Sequence, residues 1–138
     1  MPFSRTIHPD VNLLYIRGEG VVDRADLVSL QESLIHSAAE AQGRDQIVDL
    51  TLVARIDLSI DDISALRPRS EALRRATQPG RLAIVAPSDI TFGLARMYEM
   101  MFEESQPPRE ILVVRSIREA TSWLNLPEPE SWSPTATT

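Results

Sequence analysis

Residues 81–102 read RLAIVAPSDITFGLARMYEMMF. The stretch opens on a continuous apolar run, 82–86, that Pro87 ends. Ser88 and Asp89 follow as a capping pair, and then comes a segment that is apolar over most of a helical circumference. An apolar run without alternation is a strand buried on both faces. Such a strand, feeding a helix through a tight turn, is the unit from which parallel α/β sheets are built.

Working outward, the same rhythm recurs. Before it, Asp61-Asp62 opens a helix with Ile63, Leu66, Ser70 and Leu73 on its inner face, and Pro79-Gly80 ends it. Pro68 falls inside that helix, where a proline costs about 3 kcal/mol, so a kink or a break is expected near Leu66-Arg67. Residues 46–50 form a short strand carrying Asp49, and a loop then runs to Ile56-Asp57-Leu58-Ser59. Asp23 and Asp26 start an earlier helix with the stripe Leu27, Leu30, Leu34, Ala38 and Ala41, His36 opposite it, and Gly43 as C-terminal cap. At the start of the chain, 3–8 alternates, Pro9-Asp10 turns, and 13–17 is more apolar. These two strands make an antiparallel hairpin that Gly18 and Gly20 end. After the central unit, Gln106-Pro107-Pro108 is a stiff connection and 111–114 a buried strand. Ser116 and Glu119 form a capping box on a last helix whose inner face is Ala120, Trp123 and Leu124.

The expected fold is therefore α/β. One domain over residues 1–126 holds a sheet of about five strands, the first two antiparallel and the rest mainly parallel, covered by about four helices. From Pro127 the composition turns to Pro, Ser, Thr and Glu, which predicts a disordered tail over 127–138.

Composition narrows the function classes. A 138-residue chain with 43% hydrophobic and 25% charged residues builds an ordinary globular core. No apolar stretch approaches the roughly 20 residues that span a bilayer, and MPFSRTIHPD has no basic segment followed by an apolar one. A cytoplasmic protein without membrane insertion is expected. The absence of cysteine excludes thiolate catalysis and Cys-ligated metals. A net charge of −6 argues against a general nucleic-acid surface. All 14 basic residues are arginine, which excludes Schiff-base chemistry and a P-loop lysine. The two histidines, His8 and His36, sit in no Ser-His-Asp or H-E-x-x-H setting. No catalytic residue, metal or cofactor is assigned, and the chain is read as a non-enzyme.

Four features carry the candidate sites. The first is Asp49-Leu50-Thr51 followed by Asp57-Leu58-Ser59. This order, strand-D-L-S/T, then D-x-S, then a helix, resembles the STAS domain, in particular the SpoIIAA-like proteins (anti-sigma-factor antagonists and their relatives). The order of elements extends the resemblance over about residues 3–126. In that family the second serine of a D-S-S-G turn is phosphorylated by a partner kinase, and the matching position is Ser59, beside Asp57. Leu58 stands in place of the first serine and Ile60 in place of the glycine. The resemblance implies a phospho-switch and a protein partner. The residues by themselves equally allow Ser59 or Asp61 to be a helix cap.

The second feature is the apolar surplus of 90–102. Ile90, Leu94, Met97, Tyr98 and Met101 make the expected inner stripe, with Arg96, Glu99 and Glu103 opposite. Phe92, Met100 and Phe102 fall outside it. Phe92, Met97, Met100, Met101 and Phe102 thus form a candidate surface for a partner, a second copy in a homodimer, or an apolar ligand, unless neighbouring elements cover them. The run A-P-S-D-x-x-F-G-x-A-R-M-Y also resembles a small bacterial SpoIIAA-like branch, related by fold to the lipid-carrying CRAL-TRIO domains. That resemblance implies a hydrophobic ligand between sheet and helices. The third feature is Gly93, read as allowing close helix-to-sheet packing. The fourth is the arginine cluster Arg67, Arg69, Arg74, Arg75 and Arg81, a solvated face or, at Arg67, Arg74 and Arg75, an anion patch.

Two function classes follow: a non-enzymatic regulatory or protein-interaction module of STAS type, or a carrier or sensor of a small, lipid-like apolar ligand.

Overall fold

In the computed structural model, which describes residues 2–103 and 109–127, the alternation at the N-terminus becomes β1, Phe3–His8. A 3₁₀ turn over Pro9–Val11 and a left-handed Asn12 reverse the chain into β2, Leu13–Asp23, which pairs antiparallel with β1. Helix α1, Arg24–His36, follows, and a break at Ser37 separates it from the short α2, Ala38–Ala41. Then come β3, Asp45–Asp57; α3, Ile60–Thr77; β4, Leu82–Val85; α4, Asp89–Met100; β5, Ile111–Val114; and α5, Ile117–Trp123. The sheet order is β1-β2-β3-β4-β5, and every pairing after the first is parallel. The mixed five-stranded α/β sheet is thus the one expected. The tail beyond Pro127 and the Gln106-Pro107-Pro108 connection lie outside the described residues.

Strand alternation sorts the core into two layers. Phe3, Leu14, Ile16, Leu82 and Ile84 face α1, α3 and α4 in the larger cluster, which also holds Leu34 and Leu73. Leu13, Tyr15, Ile47, Ala83, Val85 and Val114 face the other way and are covered by α5 through Ala120 and Leu124. Arg81 ties this second layer down. Its guanidinium donates to the carbonyls of Trp123 (3.0 Å) and Leu124 (3.3 Å), capping α5, and it lies over the Trp123 ring at 5.2 Å.

Both central strands are longer than their apolar runs suggest. Gly18 and Gly20 do not end β2, which continues to Asp23 with register irregularities around both glycines. Gly18 is needed because a Cβ there would meet the Phe3 ring and Val53 at 3.0 Å each. Gly20 has φ +73°, inside one of these bulges. No loop follows Leu50. Instead β3 continues to Asp57, paired to β2 as far as Asp23, while β4 accompanies it only along 46–49. The missing loop is replaced by a two-stranded ribbon whose side chains are largely exposed, so its apolar content carries no strand signal.

Helix α3 runs through Pro68 without ending. The proline and Ser64, whose carbonyl it deprives of a donor, are both on the exposed face, where water replaces the lost bond. Helix α4 is rotated from the expected stripe. Its buried residues are Thr91, Ala95 and Glu99, while Ile90 is 77% exposed and Leu94, Met97, Tyr98 and Met101 are half-buried. The cause is the edge of the sheet. Glu99 turns inward and accepts the Val113 N–H of the edge strand β5 at 2.8 Å, while also pairing with Arg96. Thr91 and Ala95, both small, let the helix lie close to the strands. Gly93 is exposed with nothing near its missing Cβ, so the close packing expected there is absent.

Replacing Glu99 by alanine would leave the buried Val113 N–H without an acceptor, a loss of about 1–3 kcal/mol. Glu99→Gln retains an acceptor and should lose less. Urea unfolding of both variants measures the difference.

Candidate functional site

The Asp49 and Ser59 segments mark the two ends of the β3 ribbon. Asp49 is the last β3 residue that pairs with β4 and is buried. Its carboxylate accepts from the Thr51 backbone N–H (2.9 Å), the Thr51 hydroxyl (2.5 Å) and the Tyr15 hydroxyl. Burial, with the Asp49 carboxylate as hydrogen-bond partner and neighbouring charge, pushes the Tyr15 hydroxyl well above its ordinary pKa of 10. This constellation fixes the point at which the ribbon leaves the sheet. His8 rests against the Tyr15 ring at 6.3 Å, and burial lowers its pKa.

Eight residues further on, Asp57 is exposed at the end of β3 and Ser59 is the N-cap of α3. The Ser59 hydroxyl accepts the Asp62 N–H at 3.1 Å, and the Asp62 carboxylate accepts the Ser59 N–H at 3.0 Å, a complete capping box. Of the two caps the sequence allowed, Ser59 fills the position and Asp61 is simply exposed in the first turn. The Ser59 backbone N–H, more than any other group, holds the Asp62 carboxyl below its ordinary range, with help from the Ser59 hydroxyl and Arg24. Ser59 is open to solvent, and its hydroxyl already serves the helix.

Sequence reading missed the exposed apolar side chains of the ribbon and the helix starts. Val21, Leu52, Ile60 and Ile90 are 47%, 54%, 65% and 77% exposed, against only Ile35 and Met100 as further exposed large apolar side chains among the described residues. Val21 and Leu52 lie on the ribbon, and Ile60 opens α3. Ile90 opens α4. α3 follows β3 and α4 follows the parallel β4, so both helices start at the carboxyl end of the sheet, and Ser70 and Tyr98, each about ten residues in, meet through a 3.0 Å hydrogen bond. All four apolar side chains therefore lie on segments at or beyond the carboxyl ends of the parallel strands. Ile60, next to its N-cap serine and outside the inner stripe of α3, carries a signal, whereas Ile90 belongs to the expected inner stripe of α4 and only burial identifies it.

The five residues 92, 97, 100, 101 and 102 do not make one surface. Phe102 is fully buried, 5.2 Å from the Tyr98 ring, and belongs to the main core. The surplus expected at Phe102 is therefore a filled core position. Phe92 is half-buried beneath the Arg115 guanidinium, 4.0 Å above its ring, and Arg115 also binds Asp89 (2.7 Å) and the Pro87 carbonyl (3.0 Å). Met101 packs partly against the core, Met97 is half-buried, and Met100 is 53% exposed.

A cavity does lie between the sheet and the helices, but elsewhere. About 140 Å³ is lined by Leu27 and Leu34 of α1, Leu66 of α3, Leu94 of α4, and Val48 and Ile84 of the sheet, with Gln31, Gln46, Tyr98 and Arg109 as polar neighbours. None of the three methionines lines it. The cluster Arg67, Arg74 and Arg75 also divides. Arg74 and Arg75 line an open cleft with Arg81 and Arg109, whereas Arg67 is exposed outside it. Among the described residues no three His, Asp or Glu side chains come together as a metal set, and no helix is long and apolar enough to cross a membrane.

The chain has a SpoIIAA-like fold. It superimposes on an uncharacterised protein of the DUF3478 family with a SpoIIAA-like fold from Shewanella loihica PV-4, with a TM-score of 0.58 and 17% identity over 88% of this chain and 93% of the other. The unphosphorylated anti-sigma factor antagonist SpoIIAA is also similar, with a TM-score of 0.48 and 15% identity over 89% of this chain and 97% of that one. No protein-family model and no curated protein matches the sequence.

Tyr15→Phe would take one donor from the buried Asp49 carboxylate and should destabilise by about 1–3 kcal/mol. The Tyr15 pKa is raised in the fold, so this contribution is intact below pH 10 and declines as pH rises above it. The alkaline limb of the stability profile should flatten in the variant. Ser59→Ala should cost about 1 kcal/mol through the lost cap. The depressed Asp62 pKa has the opposite sign: its contribution is present above pH 3.8 and is lost as pH falls through the lower folded value. A carboxyl NMR titration should place the Asp62 midpoint below 3.8 in the wild type and closer to it in Ser59→Ala.

Proposed function

We propose that this chain is a non-enzymatic, STAS-type interaction module that docks a protein partner at the carboxyl end of its sheet. The observation that carries this reading is the exposure of Val21, Leu52, Ile60 and Ile90, on the ribbon and in the first turns of α3 and α4. Exposed apolar side chains gathered at one end of a soluble domain favour an interface. The rim is acidic, with Asp57, Asp61 and the first-turn Asp89 of α4, which suits a partner whose apolar patch is bordered by basic residues. Phosphorylation of Ser59 would regulate such a surface directly. A phosphate would add roughly −1.5 to −2 charges beside Asp57 and Asp61 and replace the hydroxyl that accepts the Asp62 N–H.

A second reading, a carrier or sensor of a small ligand, is favoured by the internal cavity. Its volume of about 140 Å³ sets the scale. That is near the roughly 150 Å³ that holds benzene and below the about 300 Å³ at which drug-sized pockets begin. A ligand there is small, not a long-chain lipid.

The partner reading is tested with tagged chain purified from its native host. Wild type should retain one stoichiometric partner, and Ile60→Asp/Ile90→Asp should lose it with its unfolding midpoint unchanged within a few degrees. Native mass spectrometry separates a different protein from a second copy of this chain, and intact mass reports phosphate. A partner held equally well by the double variant, or a bare monomer in both, would refute the docking surface.

A further inference from the structure

The cavity and the arginine-lined cleft meet at one residue. Arg109 lines the cavity beside Gln46 and Tyr98, and it also lines the cleft with Arg74, Arg75 and Arg81. The cleft's own acids are Asp45 and Glu110. Asp45 is engaged with Arg81, accepting its backbone N–H at 2.8 Å and lying 3.7 Å from its guanidinium. Glu71 lies 3.9 Å from Arg74. Four guanidinium groups therefore face an acidic complement that is smaller and partly committed.

Two buried donors at this junction are left over. Among the described residues, Arg109 Nε and Arg74 Nη1 have no hydrogen-bond partner. Arg109 reaches one acceptor, the neutral Gln46 Oε1, through Nη2 at 3.4 Å. An unsatisfied N–H on a buried charged group is costly, and a carboxylate is the group whose two oxygens match a guanidinium fork. Burial, with the Arg74 charge beside it and against the opposing pull of Tyr98 and Glu71, lowers the Arg109 pKa, the condition that an arriving anion would relieve.

The cavity lining has a further orphan. Gln31 of α1 is buried and donates through Nε2 to the Ser70 hydroxyl at 2.9 Å, and the Tyr98 hydroxyl donates to the same Ser70 at 3.0 Å. Gln31 Oε1 has no partner among the described residues. Turning the amide over exchanges the two ends, with Ser70 donating to Oε1 and Nε2 left free. In either orientation one end of a buried amide beside the cavity is unsatisfied. The space between these polar groups is walled by leucine, isoleucine and valine.

We infer that the cavity binds a small monocarboxylic acid, its apolar body between the sheet and α1, α3 and α4, and its carboxylate on Arg109 with Arg74. The inference rests on the second reading above, that a ligand enters this cavity. A body of about six to eight non-hydrogen atoms matches the volume. Arginine selects the acid over its neutral isostere, and the cavity selects it over acetate.

The test is calorimetric titration of the full chain with hexanoate, 1-hexanol and acetate, with methyl NMR locating the site. Hexanoate should bind saturably, shift the methyls of Leu27, Ile84 and Leu94, and bind at least about tenfold tighter than hexanol, the factor expected of one charge-assisted bond. Acetate should not shift these methyls. Arg109→Gln should abolish the preference for hexanoate over hexanol. Equal binding of acid and alcohol overturns the carboxylate assignment while sparing the ligand reading, and binding of neither overturns both. Shifts confined to other residues overturn the site. If Arg109→Gln fails to fold, the comparison of acid and alcohol on the unaltered chain decides by itself.

Discussion

The parallel pairing of β2 with β3 governs the rest of the molecule. It runs from Leu13 beside Asp45 to Asp23 beside Asp57, whereas β3 and β4 are paired over four positions only. Hydrogen bonding along the excess length carries the ribbon past the sheet's edge, and α1 and α3 both start from its end. Everything that distinguishes the carboxyl end, the exposed Val21 and Leu52, the Ser59 cap and Ile60, is placed by that excess. Asp49 stands where the two pairings separate. Its four-group knot with Tyr15 and Thr51 is the means by which a buried carboxylate is tolerated at a branch in the sheet.

A second constraint acts at the other edge. β5 ends the sheet, and the outward Val113 N–H needs an acceptor. Glu99 supplies it and thereby sets the rotation of α4. Turning a glutamate inward sends Ile90 out, brings Phe102 into the core beside Tyr98, and leaves Leu94 and Tyr98 facing the cavity. One satisfied edge N–H thus connects the exposed apolar end of the molecule with its internal space. The charge of Glu99 is balanced on the same helix by Arg96.

How far the residues alone could be read follows from these two constraints. The apolar runs at 82–85 and 111–114, the helix start at Asp23, Ser59 as one of two candidate caps, and the inner stripe Ile63, Leu66, Ser70 and Leu73 came through because each is a local pattern with a local cause. The ribbon over 50–57 did not, because an exposed two-stranded segment needs no periodic apolar face. The stripe of α4 misled because hydrophobic periodicity assumes that acidic residues face water, and Glu99 does not. Phe92 was unreadable for a related reason. Its cover, Arg115, comes from 23 residues away in sequence and lies over the ring as a cation. The arginine cluster shows the same limit: Arg74 and Arg75 find their companion Arg109 only across the fold.

The sequence by itself determined the class of fold, the strand and helix order, and Ser59 as a capping candidate, since these depend on backbone propensities and apolar patterning within a few residues. Tertiary structure decided which end of the sheet carries exposed apolar side chains, where the empty space lies and which arginines meet. The physical reason is that burial, hydrogen-bond satisfaction and charge pairing are properties of neighbours in space. For this chain those neighbours are set by the length of one strand pairing and by one edge N–H that needed an acceptor.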